Sequence, residues 1–244
     1  MRLDEYRPVF NTSLRFRHPV EIDEPRVLVF FDAVTKQASG FSEYRKAKGD
    51  FHLVEREEGD IRRQMMVNSD GVVIAVAPLL SLSSARETGC LLYPLVSQHL
   101  EPSPLLMQHL DVSLRFGFPY KGSHDALVLT ELFGGSAYAE TARLAGGSVR
   151  GFEPHLSLAL TADHSMVALI EIKTQTTDRE MQSGVFDGDE IRVECGVGKV
   201  KNLGQQSLLE TFCAVFDQAA DFVDRCLVEP LLEKLRAAST QRGA

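Results

Sequence analysis

A recurrence constrains the fold of this chain more than any single motif. Ser13-Leu14-Arg15-Phe16-Arg17-His18-Pro19 returns as Ser113-Leu114-Arg115-Phe116-Gly117-Phe118-Pro119, with five of the seven positions identical. The same offset aligns Val27-Leu28-Val29 with Leu127-Val128-Leu129. After a one-residue slip, Gly49-Asp50-Phe51 resembles Arg150-Gly151-Phe152, and the turn Asn68-Ser69-Asp70-Gly71 takes the place of Thr161-Ala162-Asp163-His164-Ser165. A short match followed by the same order of elements predicts an internal duplication. The expected organisation is an α+β repeat over residues 1–110 and a second over 111–244, either as two units or as one continuous pseudo-symmetric domain.

The local signals fill in each repeat. Asn11 to His18 alternates, with Leu14 and Phe16 on one side and Ser13, Arg15 and Arg17 on the other, which reads as a strand. Asp23 as N-cap, Pro25 in the first turn and Gly40 as a stop predict a helix over Pro25–Ala38. Strands are expected near Phe51–Arg56, Ile61–Val67 and Val72–Ala77, with Asp70-Gly71 as a hairpin turn. A shorter helix is expected around Leu91–Leu100. In the second half, Ser123 caps a helix running through Ala126–Leu132 and ended by Gly134-Gly135. Strands are expected near Ser148–Phe152, His155–Thr161, Met166–Lys173 and Glu190–Cys195. From Gln205 to Ala238 the spacing of Leu208, Phe212, Val215, Ala219, Phe222 and Cys226 predicts one long amphipathic helix, with Pro230 kinking or splitting it and a frayed tail from Ser239. The first half thus reads β-α-β-β-β-α and the second β-α-β-β-β-β-α, forming antiparallel sheet with helices packed on one face. In element order this resembles the duplicated fold of the TATA-binding protein and its helix-grip relatives, in which a curved antiparallel sheet carries helices on its convex side. No sequence motif of those families is present, and fold alone does not carry function.

The chain has 244 residues, 44% hydrophobic and 25% charged, with 4 Cys, no Trp and a net charge of −8. This composition belongs to a soluble globular protein. The acidity, most of it after residue 110, counsels against a nucleic-acid binder or an anionic-membrane binder, both of which need a basic footprint. No apolar run approaches the ~20 residues of a membrane span, and the N-terminus lacks a signal-peptide core. Cys90, Cys195, Cys213 and Cys226 form no C-x-x-C pair, and Cys213 and Cys226 point to different sides of one helix. Four reduced thiols suit a cytoplasmic location.

The chemical motifs are fragments. Gly196-Val197-Gly198-Lys199 resembles part of a phosphate loop, but Val193 and Val200 occupy positions that need Gly and Ser or Thr, so a connecting loop is expected there. Ser123-His124-Asp125 cannot form a triad as adjacent residues. Asp187-Gly188-Asp189-Glu190 lacks calcium-loop spacing and reads as an acidic turn. His109-Leu110-Asp111 is the one H-x-D, and no histidine pair has metal-ligand spacing. No cofactor or metal is called for.

What remains is the face opposite the helices. Arg15, Arg17, Arg115, Arg192 and Glu194 fall on it by alternation, and Glu171 and Lys173 share a face. Arg15, Arg115, Arg192 and Glu194 are the candidate ligand-binding residues, with Arg15 and Arg115 as paired anchors for a carboxylate or phosphate. The expected function is non-enzymatic binding of an unidentified small molecule or protein partner on this open face or in a cavity under the long helix. The alternatives are an enzyme, a hydrolase or transferase with a dispersed site, and a homo-oligomeric subunit.

Overall fold

The computed structural model describes residues 3–147, 149, 151–174 and 190–242. Among them, nine strands form one antiparallel sheet: β1 (Val9–Phe16), β2 (Glu43–Ala47), β3 (Asp50–Glu57), β4 (Asp60–Asn68), β5 (Gly71–Val76), β6 (Met107–Pro119), β7 (His155–Ala159), β8 (Met166–Lys173) and β9 (Glu190–Lys199). Their order across the sheet is β2-β3-β4-β5-β1-β6-β9-β8-β7. The first strand in the chain therefore lies at the centre, bonded to β5 on one side and β6 on the other.

Alternation decides which face of the sheet is covered. On β1, Phe10, Thr12, Leu14 and Phe16 are buried, while Arg15 between them is exposed. On β6 the buried row is Leu110, Val112, Leu114, Phe116 and Phe118; on β9 it is Ile191, Val193, Cys195 and Val197. These rows carry the apolar core.

Among the described residues, six α-helices accompany the sheet: α1 (Glu24–Gln37), α2 (Leu82–Leu100), α3 (His124–Phe133), α4 (Ala137–Ala145), α5 (Leu208–Cys226) and α6 (Glu233–Arg242). Asp23 caps α1 by accepting from the Arg26 amide, with Pro25 in the first turn. Ser207 and Glu210 form a reciprocal capping box that starts α5, satisfying two amides that have no partner within the helix. Phe212, Val215, Ala219 and Val223 of α5 are buried, and the helix contacts β6, β9 and α2. The Phe216 ring meets Phe10 of β1 with centroids 5.9 Å apart.

The structure corrects several expectations. The 205–238 segment splits around Pro230, as expected, but its helix starts only at Leu208 and the break is a π-helical turn. The α5 helix ends at Cys226, a π-helical turn spans Val228–Leu232, and α6 follows. Pro230 has no amide to donate, and the turn widens so that Leu232 N reaches Leu227 O at 3.0 Å. The tail is helical through Arg242. The α2 helix begins at Leu82, nine residues earlier than expected, capped by Ser81. Among the described residues the first half holds a strand the sequence did not suggest: β2 (Glu43–Ala47), four of whose five residues are exposed, so that no alternation marks it. Helix α4 was also not foreseen, and none of its residues is buried. Residues 149, 151 and 152 lie outside any strand, whereas the sequence suggested one over 148–152. Gly196-Val197-Gly198-Lys199 belongs to β9 and not to a loop. The acidic run at 187–189 lies outside the described residues.

Candidate ligand groove on the open sheet face

Strand register assembles the second face. Across β1 and β6, Arg15 stands opposite His109, Ser13 opposite Asp111 and Asn11 opposite Ser113. Across β6 and β9, Asp111 faces Gly198, Ser113 faces Gly196 and Arg115 faces Glu194. The next pair sets Gly198 against Val167, Gly196 against Leu169 and Glu194 against Glu171. Directly opposed residues share a face, so these side chains surround one patch. All of them except Asn11, Ser13 and Arg115 line a groove of about 320 Å³, completed by Val200.

The two glycines give the groove its floor. A methyl group at Gly196 would meet nothing nearer than the Ser113 Cβ at 3.8 Å, and one at Gly198 would come within 3.3 Å of the Asp111 Cβ. Glycine inside a strand often marks a place where another group must come close. Val167 and Leu169 make an apolar wall, and Leu169 is 40% exposed.

The polar groups divide into paired and unpaired. The Ser13 hydroxyl donates to Asp111 Oδ1, and His109 Nε2 lies 3.0 Å from the same oxygen. Lys173 Nζ sits 2.9 Å from Glu171 and 3.7 Å from Glu194. The hydrogen bond to Glu171 holds the Lys173 ammonium above its ordinary pKa. Arg15 lines the groove and is exposed, and its guanidinium makes no hydrogen bond or ion pair among the described residues. A guanidinium in that position offers a fork of donors to a planar anion. The Ser13–Asp111–His109 cluster is not a hydrolytic triad. In a triad the histidine stands between the nucleophile and the carboxylate; here the carboxylate stands between serine and histidine, so the imidazole does not take the serine proton.

Of the four residues singled out in the sequence, Arg15 and Glu194 line the groove. Arg115 and Arg192 stand on the same face beyond it, Arg192 bound to Glu190 at 2.9 Å. Arg15 and Arg115 do not converge. Arg15 is opposite His109 on β6, and Arg115 lies six residues further along that strand, about 20 Å away at the usual rise. Sequence reasoning missed Asp111, Ser113, His109 and the glycine floor. The signal was available, since 109, 111 and 113 alternate in phase with 115.

The other motifs resolve into structural roles. Ser123 Oγ caps α3 by accepting from Ala126 N, His124 Nε2 is 2.9 Å from the Tyr120 carbonyl, and Asp125 Oδ1 accepts from Phe152 N and Thr174 Oγ1. Three adjacent residues thus point to three partners. Among the described residues no group of three or more His, Cys, Asp and Glu is placed to hold a metal ion, and no helix is long and apolar enough to cross a membrane. The chain matches no known protein-family model and no curated protein sequence.

Proposed function

We propose that this chain is a binding protein, not an enzyme, and that it holds a small molecule bearing a carboxylate or phosphate in the groove on the open sheet face. The observation that carries this reading is the unpartnered Arg15 guanidinium beside a glycine floor and an apolar wall. Asp111 and Ser113 are placed to meet ligand donors next to it. Beneath α5 the side chains of Phe212, Val215, Phe216 and Ala219 are buried, which favours the open face over a cavity under the long helix.

A thermal-shift screen of small carboxylates and phosphates tests the proposal, since a ligand that binds only the folded state raises the melting temperature. Arg15→Ala should weaken a stabilising ligand about tenfold or more, in keeping with loss of a charge-assisted pair worth about 1.5–3 kcal/mol. Gly196→Leu should fill the floor and abolish the shift. A ligand whose shift survives both substitutions binds elsewhere, and the groove is then not the site.

We further infer that residues 1–110 and 111–244 are two copies of one unit, with helices covering the face away from the groove. Strand register supports this. Thr12 pairs directly with Val112, two positions related by the offset of the recurring motif. Antiparallel strands related by a two-fold axis must set one such pair of equivalent residues face to face. Sheet order then matches β1 with β6, β5 with β9, β4 with β8 and β3 with β7, which replaces the sequence pairing of the 68–71 turn (β4–β5) with the 161–165 turn (β7–β8); superposition of the halves in a crystal structure should give this correspondence, and any other removes the duplication.

A further inference from the structure

Helices α2 and α5 run antiparallel and meet through a short ladder of side chains. Arg86 of α2 bridges Asp217 of α5 with two hydrogen bonds, at 2.9 and 3.2 Å. One turn along, Cys90 and Cys213 place their sulfurs 3.6 Å apart. The helices come close here because Gly89 has no side chain. A Cβ at that position would fall 2.0 Å from the Phe212 ring. Phe212 in turn stacks on Tyr93, with ring centroids 5.0 Å apart. The residues beside each cysteine thus fix the distance between the two helices. Both thiols are partly exposed, so a small oxidant can reach them. The Arg86 guanidinium lies 4.0 Å from the Cys90 sulfur, where it favours a thiolate. Burial and the neighbouring thiol push the Cys90 pKa the other way, upward.

We propose that Cys90 and Cys213 are a modification site: a dithiol that a peroxide converts to a reversible disulfide stapling α2 to α5. The sulfurs are already in contact, and side-chain rotation with a small helix adjustment brings them to bonding distance. One thiolate attacks a peroxide oxygen, and the O–O bond breaks. The departing hydroxide takes a proton and leaves as water, and the cysteine becomes a sulfenic acid. The second thiol then attacks that sulfur, and its proton leaves with the hydroxide as a second water. Two thiols lose two electrons and two protons, and hydrogen peroxide is reduced to two waters. Cys195 is buried, and burial pushes its thiol up to about 12, so it stays a protonated spectator. A free thiol or dithiol reductant reverses the bond by exchange.

The test treats the full chain with a small excess of hydrogen peroxide and counts thiols after denaturation. The expected result is a fall from four free thiols to two, a Cys90 peptide joined to a Cys213 peptide by mass spectrometry, and full recovery with dithiothreitol. Cys90→Ser and Cys213→Ser should each abolish the cross-link. Either serine removes one thiol without changing side-chain size much, so a folded control is available from two positions. Four thiols surviving the treatment, a cross-link that involves Cys195 or Cys226, or oxygen added to Cys90 or Cys213 without a cross-link would each overturn the proposal.

Discussion

Thr12 lies in the apolar row of β1, fully buried, and its hydroxyl donates to the Asp111 carbonyl at 2.8 Å. That leaves its lone pairs for the buried Tyr93 hydroxyl, also 2.8 Å away, so Tyr93 is the donor of that bond. The two ends of this relay differ in cost. Tyr93→Phe removes a donor and leaves Thr12 still bonded to the carbonyl, which should cost about 1 kcal/mol. Thr12→Val leaves the Tyr93 hydroxyl without its acceptor and takes a donor from the Asp111 carbonyl, which should cost about 2–3 kcal/mol, while the double variant recovers part of that loss. Urea unfolding of the three variants checks the order; a costlier Tyr93→Phe would refute this donor assignment. The same scale explains what of the groove was legible. The facing of Arg15, Arg115, Arg192 and Glu194 follows from alternation alone, because a strand has only two sides. Their separation along the strands does not, because it depends on register, and register is set between strands far apart in sequence. Gly196 and Gly198 were misread for a related reason: their value lies in what is missing above them, and a glycine says that only once its strand neighbours are known.

At the level of elements, what the sequence made plain were the pieces whose side chains alternate or cap locally: β1, α1, α3, the β4–β5 hairpin and β8. Pieces defined by a neighbour were not. Strand β2 carries mostly charged side chains and is held by pairing with β3 and by Tyr44 and Lys46, both of which bond Glu24 of α1. The start of α2 was hidden by Gly89, which weakens a helix on propensity alone. Its close contact with Phe212 turns this weakness into a requirement. Gly89→Ala is therefore expected to destabilise, against the 0.5–1 kcal/mol gain that propensity offers. Phe212 is fully buried between Tyr93 and Phe216 and cannot swing aside, and overpacking of this kind costs about 1–3 kcal/mol. Thermal unfolding decides the sign, and a stabilised Gly89→Ala would mean that α2 and α5 can part without loss.

For the whole molecule, the buried ionisable groups set an upper pH limit. The Cys195 thiol, raised by burial from 9.0 to about 12, stays neutral in the folded protein while it ionises in the unfolded chain. Its folded pKa is the higher one, so its contribution is fully present below pH 9 and is lost as pH rises from 9 toward 12, up to roughly 4 kcal/mol at ~1.4 kcal/mol per unit. Tyr93, shifted upward by burial, acts with the same sign above pH 10. Unfolding in urea at a series of pH values should show stability falling steeply above pH 9, and Cys195→Ala should flatten that fall while lowering stability at neutral pH; an unchanged slope would exonerate the thiol. The place of β1 in the sheet also bears on how the chain is made. Thr12 must wait for Val112, and a ribosome adding about 5–20 residues per second delivers that partner some 5–20 s later. From the completion of β5 at Val76 until β6 arrives, β1–β5 is a sheet whose open edge is its future centre. An unpaired edge accepts whichever matching strand arrives first, and the β6 of a neighbouring chain matches as well as its own. Crowded refolding should therefore yield strand-exchanged dimers, seen by sizing chromatography as a species that grows with protein concentration during refolding and persists on dilution.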